Sequence, residues 1–410
     1  MRFSKTFIKT LRDAPKDETA KNGILLTRAG YIYKELAGIY DYLPLGLKVI
    51  ENIKSIVRDE LNAIGCEEVS LSVLQNPNLW ERTNRWDENE VDIWFKTKLY
   101  AGGELGLAPT HEEPITNLLK SYIKSYKDLP LYVYQIQTKF RNELRAKSGI
   151  LRGREFLMKD LYSFTASEDE LNAFYSKVEI AYKNIFNRLG IGNDTFETFA
   201  SGGIFSKYSH EFQTLTEVGE DTVWLNKDRS LVLNDEVFND EVLADFNCKK
   251  EDFEAKKACE VANIFKLKFK YSEPLDLKFI DQENNQKTVY MGCYGIGISR
   301  LMGVIVEKFA DNKGLIWPEN LAPFKYHLVA IGEEGAKMAE KIYQKNENLF
   351  FFDDRKTARF GEKMADAELM GMPYIVLVSD RLLSEGKLEL TNRQTGEKSH
   401  LTIDEFIAKL

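Results

Sequence analysis

A chain of 410 residues carrying a formal net charge of -8 is long enough for one large folded unit and one small one. Hydrophobic and charged fractions of 43% and 29% are ordinary for a globular protein, and no apolar run approaches bilayer length. The opening MRFSKTFIKTLRDAPKDETAK lacks the apolar centre of a signal peptide, so a cytoplasmic protein with no membrane partner is expected. The acidic balance argues against indiscriminate binding to nucleic acid, DNA included, while leaving room for a local basic surface. Cys66, Cys248, Cys259 and Cys293 form no CxxC pair, and His111, His210, His327 and His400 have no zinc spacing, so neither a disulfide framework nor a metal held by the protein is indicated.

In chain order, LTRAGYIYKELAGIYDYLPLG is punctuated by Gly and Pro and leads into a helix over about Leu45–Ile64. There Val49, Ile50, Ile53, Ile56, Val57, Leu61 and Ile64 keep helical spacing and Gly65 ends the run. A strand is expected next, with Val69, Leu71 and Val73 on one side and Ser70 and Ser72 on the other. LAPTHEEPIT has two readings. Thr110 and Glu112 on one side of an extended segment would hold a protonated amine, or Thr110 and Glu113 form a capping box ahead of Pro114.

In Leu131–Phe164 the side chains of Tyr132, Tyr134, Ile136 and Phe140 alternate with Gln135, Gln137, Lys139, Arg141 and Glu143, which predicts a strand with one core face and one wet face. The run Arg152–Phe164 is expected to pair back antiparallel across a basic loop that carries Arg145 and Lys147. Arg141 and Arg152 offer the fixed donor fork that phosphate and carboxylate accept, and Phe156 offers a ring face to a base. A charged solvent face is the plainer reading of the same pattern.

A helical run over about Glu168–Leu189 precedes ETFASGGIFSKYSHEFQTL, and Asp228–Lys257 is charged and irregular. In MGCYGIGISRLMGVIVE, Gly292, Gly295 and Gly297 lead into a helix with Ile298, Leu301, Met302, Ile305 and Phe309 on its apolar side. Glycine lets a backbone approach a ligand, and Arg300 near the helix start suits an anion. The third glycine of a dinucleotide fingerprint and the GK[ST] of a P-loop are both missing, and Cys293 reads as a small apolar wall residue. After a linker around Trp317, Pro318 and Pro323, strands and helices alternate in a small α/β domain. Its Arg355, Lys356, Arg359 and Lys363 are candidate phosphate contacts or a solvated face.

Phe140, Arg141, Asn142 and Glu143, with Arg152 and Phe156 after the loop, resemble motif 2 of the class II aminoacyl-tRNA synthetases, and REFLMKDLYSF resembles the prolyl-tRNA synthetases in particular. The helix and strand around Leu45–Val73 resemble motif 1, with Ser72 where the family usually has proline, and TNRW at Thr83–Trp86 is similar to its SGRW. Thr110 and Glu112 match the TxE that contacts the imino group, and His210 matches the His of SHEF at the proline pocket, although Ser201 and Phe205 depart from the family pattern upstream. EVANIF resembles EVGHIF with Ala262 and Asn263 substituted, GCYGIGISR resembles motif 3, and DDRKTARFGEKMADAELMGMPY resembles the class IIa anticodon-binding domain.

The resemblance implies an α+β fold: a class II catalytic domain over residues 1–320, its antiparallel sheet flanked by helices, and an anticodon-binding α/β domain over 325–410. It implies proline activation with ATP, transfer to tRNA(Pro), a homodimer, and Mg²⁺ arriving with ATP. Arg141 and Arg300 would be catalytic; Thr110, Glu112, Arg141, Met158 and His210 would hold proline. Arg141, Glu143, Arg152, Phe156 and Arg300 would hold ATP, and Arg145, Lys147, Arg355, Lys356 and Arg359 would meet tRNA. The editing domain that many bacterial members insert between motifs 2 and 3 is expected to be absent. A related class IIa synthetase, a non-catalytic paralogue acting as regulator or RNA-binding subunit, and an enzyme loading a carrier protein remain alternatives.

Overall fold

The computed structural model describes residues 1–201 and 208–410. They divide into two compact units, one of Ala37–Ile39 and Lys54–Val304, the other of Met1–Leu36, Tyr40–Ile53 and Ile305–Leu410.

The larger unit is built on a nine-stranded sheet among the described residues. Its spatial order is Tyr208–Leu215, Thr195–Ser201, Val232–Asn234, Asp221–Asn226, Phe253–Lys268, Tyr290–Gly297, Glu155–Thr165, Leu131–Phe140, Glu67–Glu68. The central strands are antiparallel: Leu131 pairs with Phe164, Phe140 with Glu155, and Met158 with Gly297. Only short strands depart from this, as Glu67–Glu68 runs parallel to Val133–Tyr134.

One sheet face carries the helix Glu168–Arg188, which begins where Ser167 accepts the Glu170 amide and which buries Leu171, Phe174, Tyr175, Val178 and Tyr182. Tyr132 stacks on Phe174 with ring centroids 3.6 Å apart, and Tyr175 lies 6.0 Å from Tyr294, so the aromatic positions of the strands meet this helix. The opposite face was expected to be wet. It is not: Gln135, Lys139 and Asp160 are buried, because the segments at Leu71–Val73 and Pro109–Glu113 cover them and supply polar partners.

That covering also explains a second difference. The strand predicted through Val69–Val73 is confined to Glu67–Glu68, and beyond it the side chains of Gln135 and Gln137 bond the Leu71 amide and carbonyl in place of a ladder. The preceding helix, Pro44–Ala63, has the predicted position, and Gly65 follows it in the left-handed conformation at φ 84°.

In the other unit a five-stranded sheet runs in the order Phe350–Asp353, Tyr326–Ile331, Tyr374–Ser379, Lys387–Asn392, Lys398–Thr402. The first three strands are parallel and the last two antiparallel, with Glu333–Tyr343 and Phe360–Met370 as the crossover helices. The alternation of strand and helix is the one the sequence predicts after the linker. No helix among the described residues is long and apolar enough to cross a membrane.

Candidate active site

The site lies on the covered face of the larger sheet, and its floor is a buried polar network. Lys139 stands 2.9 Å from Asp160 and 2.6 Å from His111 Nδ1, while Asp160 also accepts from Tyr162 Oη and Gln135 Nε2, each at 2.9 Å. His111 Nε2 lies 2.9 Å from the Ser72 carbonyl, which fixes its proton on that nitrogen and leaves Nδ1 to accept from Lys139. Burial, with Lys139 beside it, pushes the His111 imidazole down to about 4, so it is neutral at neutral pH.

Above this floor a cavity of about 240 Å³ is lined by Thr110, Glu112, Arg141, Met158, Asn263, Cys293 and Gly295, with Arg85, Lys270 and Tyr271 at its side. The helix Glu112–Leu119 has His111 as its N-cap residue and no side-chain cap, so the Thr110 capping box is not formed. The Thr110 hydroxyl donates instead to Glu112 Oε2 at 2.5 Å, and Cys293 Sγ donates to Oε1 at 3.2 Å. Cys293 is therefore more than the apolar wall expected of it. Burial raises the Glu112 carboxyl, and Arg85 together with Thr110 more than offsets that, leaving it below its ordinary value. A buried carboxylate beside a hydroxyl, lining a cavity, is a receptor for a protonated amine. At Gly295 a Cβ would stand 2.9 Å from Asn263 Oδ1 and 3.4 Å from Met158 Cε, so glycine keeps this end of the cavity open.

Arg141 continues from the strand Leu131–Phe140 and also lines a second cavity, with Glu143, Leu151, Arg152, Phe156, Glu260 and Arg300. Its guanidinium sits 5.2 Å from the Phe156 ring centroid, and its Nε and Nη2 reach the Pro109 carbonyl at 3.4 Å. Burial, and next the charge of Arg300, lowers its pKa from the ordinary value, as expected where two guanidiniums face one space and await an anion. Arg300 lies in the first turn of Ile298–Phe309 and donates to the Leu151 and Glu260 carbonyls at 2.8 and 2.5 Å. Arg152 pairs with Glu143 at 2.7 Å and with Glu220 at 2.8 Å.

The structure thus brings together Thr110, Glu112, Arg141, Glu143, Arg152, Phe156, Met158 and Arg300. It does not bring His210 to them. His210 pairs in register with Ile264, whose neighbours Asn263 and Phe265 face the cavity, so its ring projects to the other sheet face. There it is 2.8 Å from Tyr175 Oη and packs on Phe199. Phe205 lies outside the described residues, and Ser201 is exposed with its amide on Glu236.

Arg145 and Lys147 are exposed on the loop between the central strands. In the other unit Lys356 and Arg359 are exposed, whereas Arg355 is bound at 2.6 Å to Asp353 and 2.7 Å to Asp366. Lys363 is buried, donating to the Ala330 and Asp353 carbonyls. Neither Arg355 nor Lys363 is presented as a phosphate contact, because local acids and carbonyls already hold them. Sequence reasoning assigned no role to Arg85, Glu260 or Asp221 and only a capping role to Glu113; the Arg of TNRW and the second Glu of THEE were the available signals.

Residues 95–309 match the model of the tRNA synthetase class II core domain (G, H, P, S and T), and residues 325–410 match the anticodon binding domain. The chain is 38% identical to a proline–tRNA ligase of Anaplasma marginale, with all of both chains aligned, and 37% identical to one of Wolbachia pipientis wMel over 99% of each. A proline–tRNA ligase of Bacillus pumilus is 33% identical over 564 aligned positions, so it carries segments that these 410 residues lack. Among solved structures, prolyl-tRNA synthetase of Cryptosporidium parvum with halofuginone and AMPPNP superposes at a TM-score of 0.77 and 18% identity, covering 95% of this chain and 75% of that one. The Giardia lamblia enzyme in complex with prolyl-adenylate gives 0.75 and 18%, covering 93% and 74%. On sequence, fold and both domain models, the chain belongs to the proline–tRNA ligase family of class II aminoacyl-tRNA synthetases.

Proposed function

We propose that this chain ligates L-proline to tRNA(Pro) through a prolyl-adenylate formed from ATP. The observation that carries the reading is the position of Arg141, which lines both the cavity with Thr110 and Glu112 and the cavity with Phe156 and Arg300. A ligand carboxylate in the first and a nucleotide α-phosphate in the second meet at that one guanidinium.

Proline would enter with its ring nitrogen protonated, paired with Glu112 and hydrogen-bonded by Thr110, with Met158 against the ring. A carboxylate oxygen attacks the α-phosphorus, a P–O bond forms, and pyrophosphate leaves. Arg141 binds both reacting groups and meets the charge that develops between them; Arg300 anchors the outer phosphates, and Phe156, Glu143 and Arg152 hold the base end. Neither step needs a protein nucleophile, in keeping with a site that offers cations and positioning. Mg²⁺ arriving with ATP would offset phosphate charge, and the hard oxygen donors of Glu260 and Asp221, which line an adjoining cavity with Arg141, Arg152 and Arg300, suit it. The 3'-terminal hydroxyl of tRNA then attacks the adenylate carbonyl and AMP leaves.

Residues 1–320 would serve catalysis and 325–410 the anticodon, with Arg145, Lys147, Lys356 and Arg359 as exposed cations for tRNA. A cytoplasmic homodimer is the assembly we infer from the family. Incubation with ATP, labelled proline and proline tRNA tests the reading: label must become acid-precipitable only when all three are present. Label that stays soluble, or that transfers to a carrier protein instead, would overturn it.

A further inference from the structure

Beside the cavity lies a carboxylate that no substrate atom can reach. Glu113 is fully buried, next in sequence to Glu112, and accepts from Thr83 Oγ1 at 2.8 Å. Arg85 Nη1 donates to its two oxygens at 2.9 and 3.2 Å and to Tyr271 Oη at 2.8 Å, while the nearer Glu112 oxygen is 3.6 Å away. The guanidinium is held between Trp80 and Tyr271, with ring centroids at 5.0 and 5.3 Å, so it cannot swing freely toward either acid.

One guanidinium therefore faces two carboxylates and is bonded to the one farther from the cavity. The hydrogen-bond donors on Glu112 itself, Thr110 and Cys293, are neutral. We propose that Glu113 is a specificity-determining positioning residue: by taking the hydrogen bonds of the Arg85 that both acids share, it leaves the Glu112 carboxylate only partly neutralised and able to pair with a cationic ring nitrogen. Arg85 already acts on Glu112 from 3.6 Å; without the charge on Glu113 the whole of that guanidinium charge falls to Glu112, and the preference of the cavity for a cation weakens. The proposal rests on proline being the substrate.

The test compares L-proline with tetrahydrofuran-2-carboxylate, which has the same ring and carboxylate but an uncharged oxygen in place of the nitrogen. Dissociation constants come from calorimetry, and KM values from proline-dependent pyrophosphate exchange, both at pH 8, because burial pushes the Glu113 carboxyl up to about 7 and its charge is complete only above that. In Glu113→Gln the preference for proline over the oxygen analogue should fall about tenfold or more, through weaker proline binding alone. KM for proline should rise accordingly, with kcat and KM for ATP within about threefold of the wild type. Removing both members, Arg85→Met with Glu113→Gln, takes away the cation that would otherwise neutralise Glu112 and should restore most of the preference that Glu113→Gln loses.

A purely structural role predicts otherwise: Glu113→Gln would weaken both ligands in proportion, or neither, and the double variant would be no better than the single one. Either result overturns the proposal. If Glu113→Gln fails to fold, the double variant carries the test, and loss of the preference there overturns it. A wild-type protein with no proline-dependent exchange would instead remove the substrate reading, and this proposal with it.

Discussion

Lys139 and Asp160 face each other at 2.9 Å across the two central strands, both shut away from water. Lys139 also bonds His111, and Asp160 also accepts from Gln135 and Tyr162, so the pair ties the strands to the segment that carries Thr110 and Glu112. Breaking a buried pair by removing one partner strands the other charge and typically costs about 3–5 kcal/mol. Lys139→Met should lose stability on that scale in urea unfolding at neutral pH; a loss under about 1 kcal/mol would show that the network does not hold the floor.

Acid should destabilise both units through their buried histidines. Burial holds His111 and His327 down to about 4, below the ordinary 6.5. The unfolded chain therefore takes up protons first, and the stability these groups contribute is complete above pH 6.5 and lost as pH falls through about 4. Each shift corresponds to about 3 kcal/mol at most. His327→Leu should flatten the pH dependence of unfolding in the unit that contains Ile305–Leu410, where neither His327 ring nitrogen has a hydrogen-bond partner among the described residues. An unchanged slope between pH 6.5 and 4 would contradict the assignment.

Arg141→Ala should reduce adenylate formation by roughly 10³-fold or more, since it removes the one cation that, among the described residues, is common to both cavities. The far-ultraviolet circular dichroism should be unchanged. Activity within about tenfold of the wild type would show that the reacting groups meet elsewhere.

The cations of the smaller α/β domain should separate by environment. Lys356→Glu with Arg359→Glu, both exposed, should raise KM for tRNA and leave tRNA-independent exchange unchanged. Arg355→Ala should act on stability, because it leaves Asp353 and Asp366 without their shared counter-ion. A stable Arg355→Ala protein that fails only in tRNA binding would reverse these assignments.

The sequence disclosed what depends on local pattern. Hydrophobic period and glycine placement located the Pro44–Ala63 helix, the central hairpin and the alternation of the C-terminal sheet, because those elements are set by neighbours in the chain. Burial set by distant segments was not legible. Lys139 and Gln135 alternate with aromatics as solvent-facing residues do, and only the chain folded over them makes that face dry. The facing of His210 depends on its register with Ile264, which no local pattern states. Arg355 and Lys363 read as free cations until Asp353 and the Ala330 carbonyl are placed beside them. Arg85 stayed hidden for the same reason, since its partners Glu113 and Tyr271 come from two other parts of the chain.

The most direct measurement is exchange of labelled pyrophosphate into ATP with each proteinogenic amino acid offered alone and no tRNA present. Proline should drive exchange strongly. Alanine should drive it weakly, because a cavity separates ligands that differ by apolar groups by only about 1–3 kcal/mol per methylene. Silence with every amino acid, or a stronger response to another one than to proline, would contradict the account.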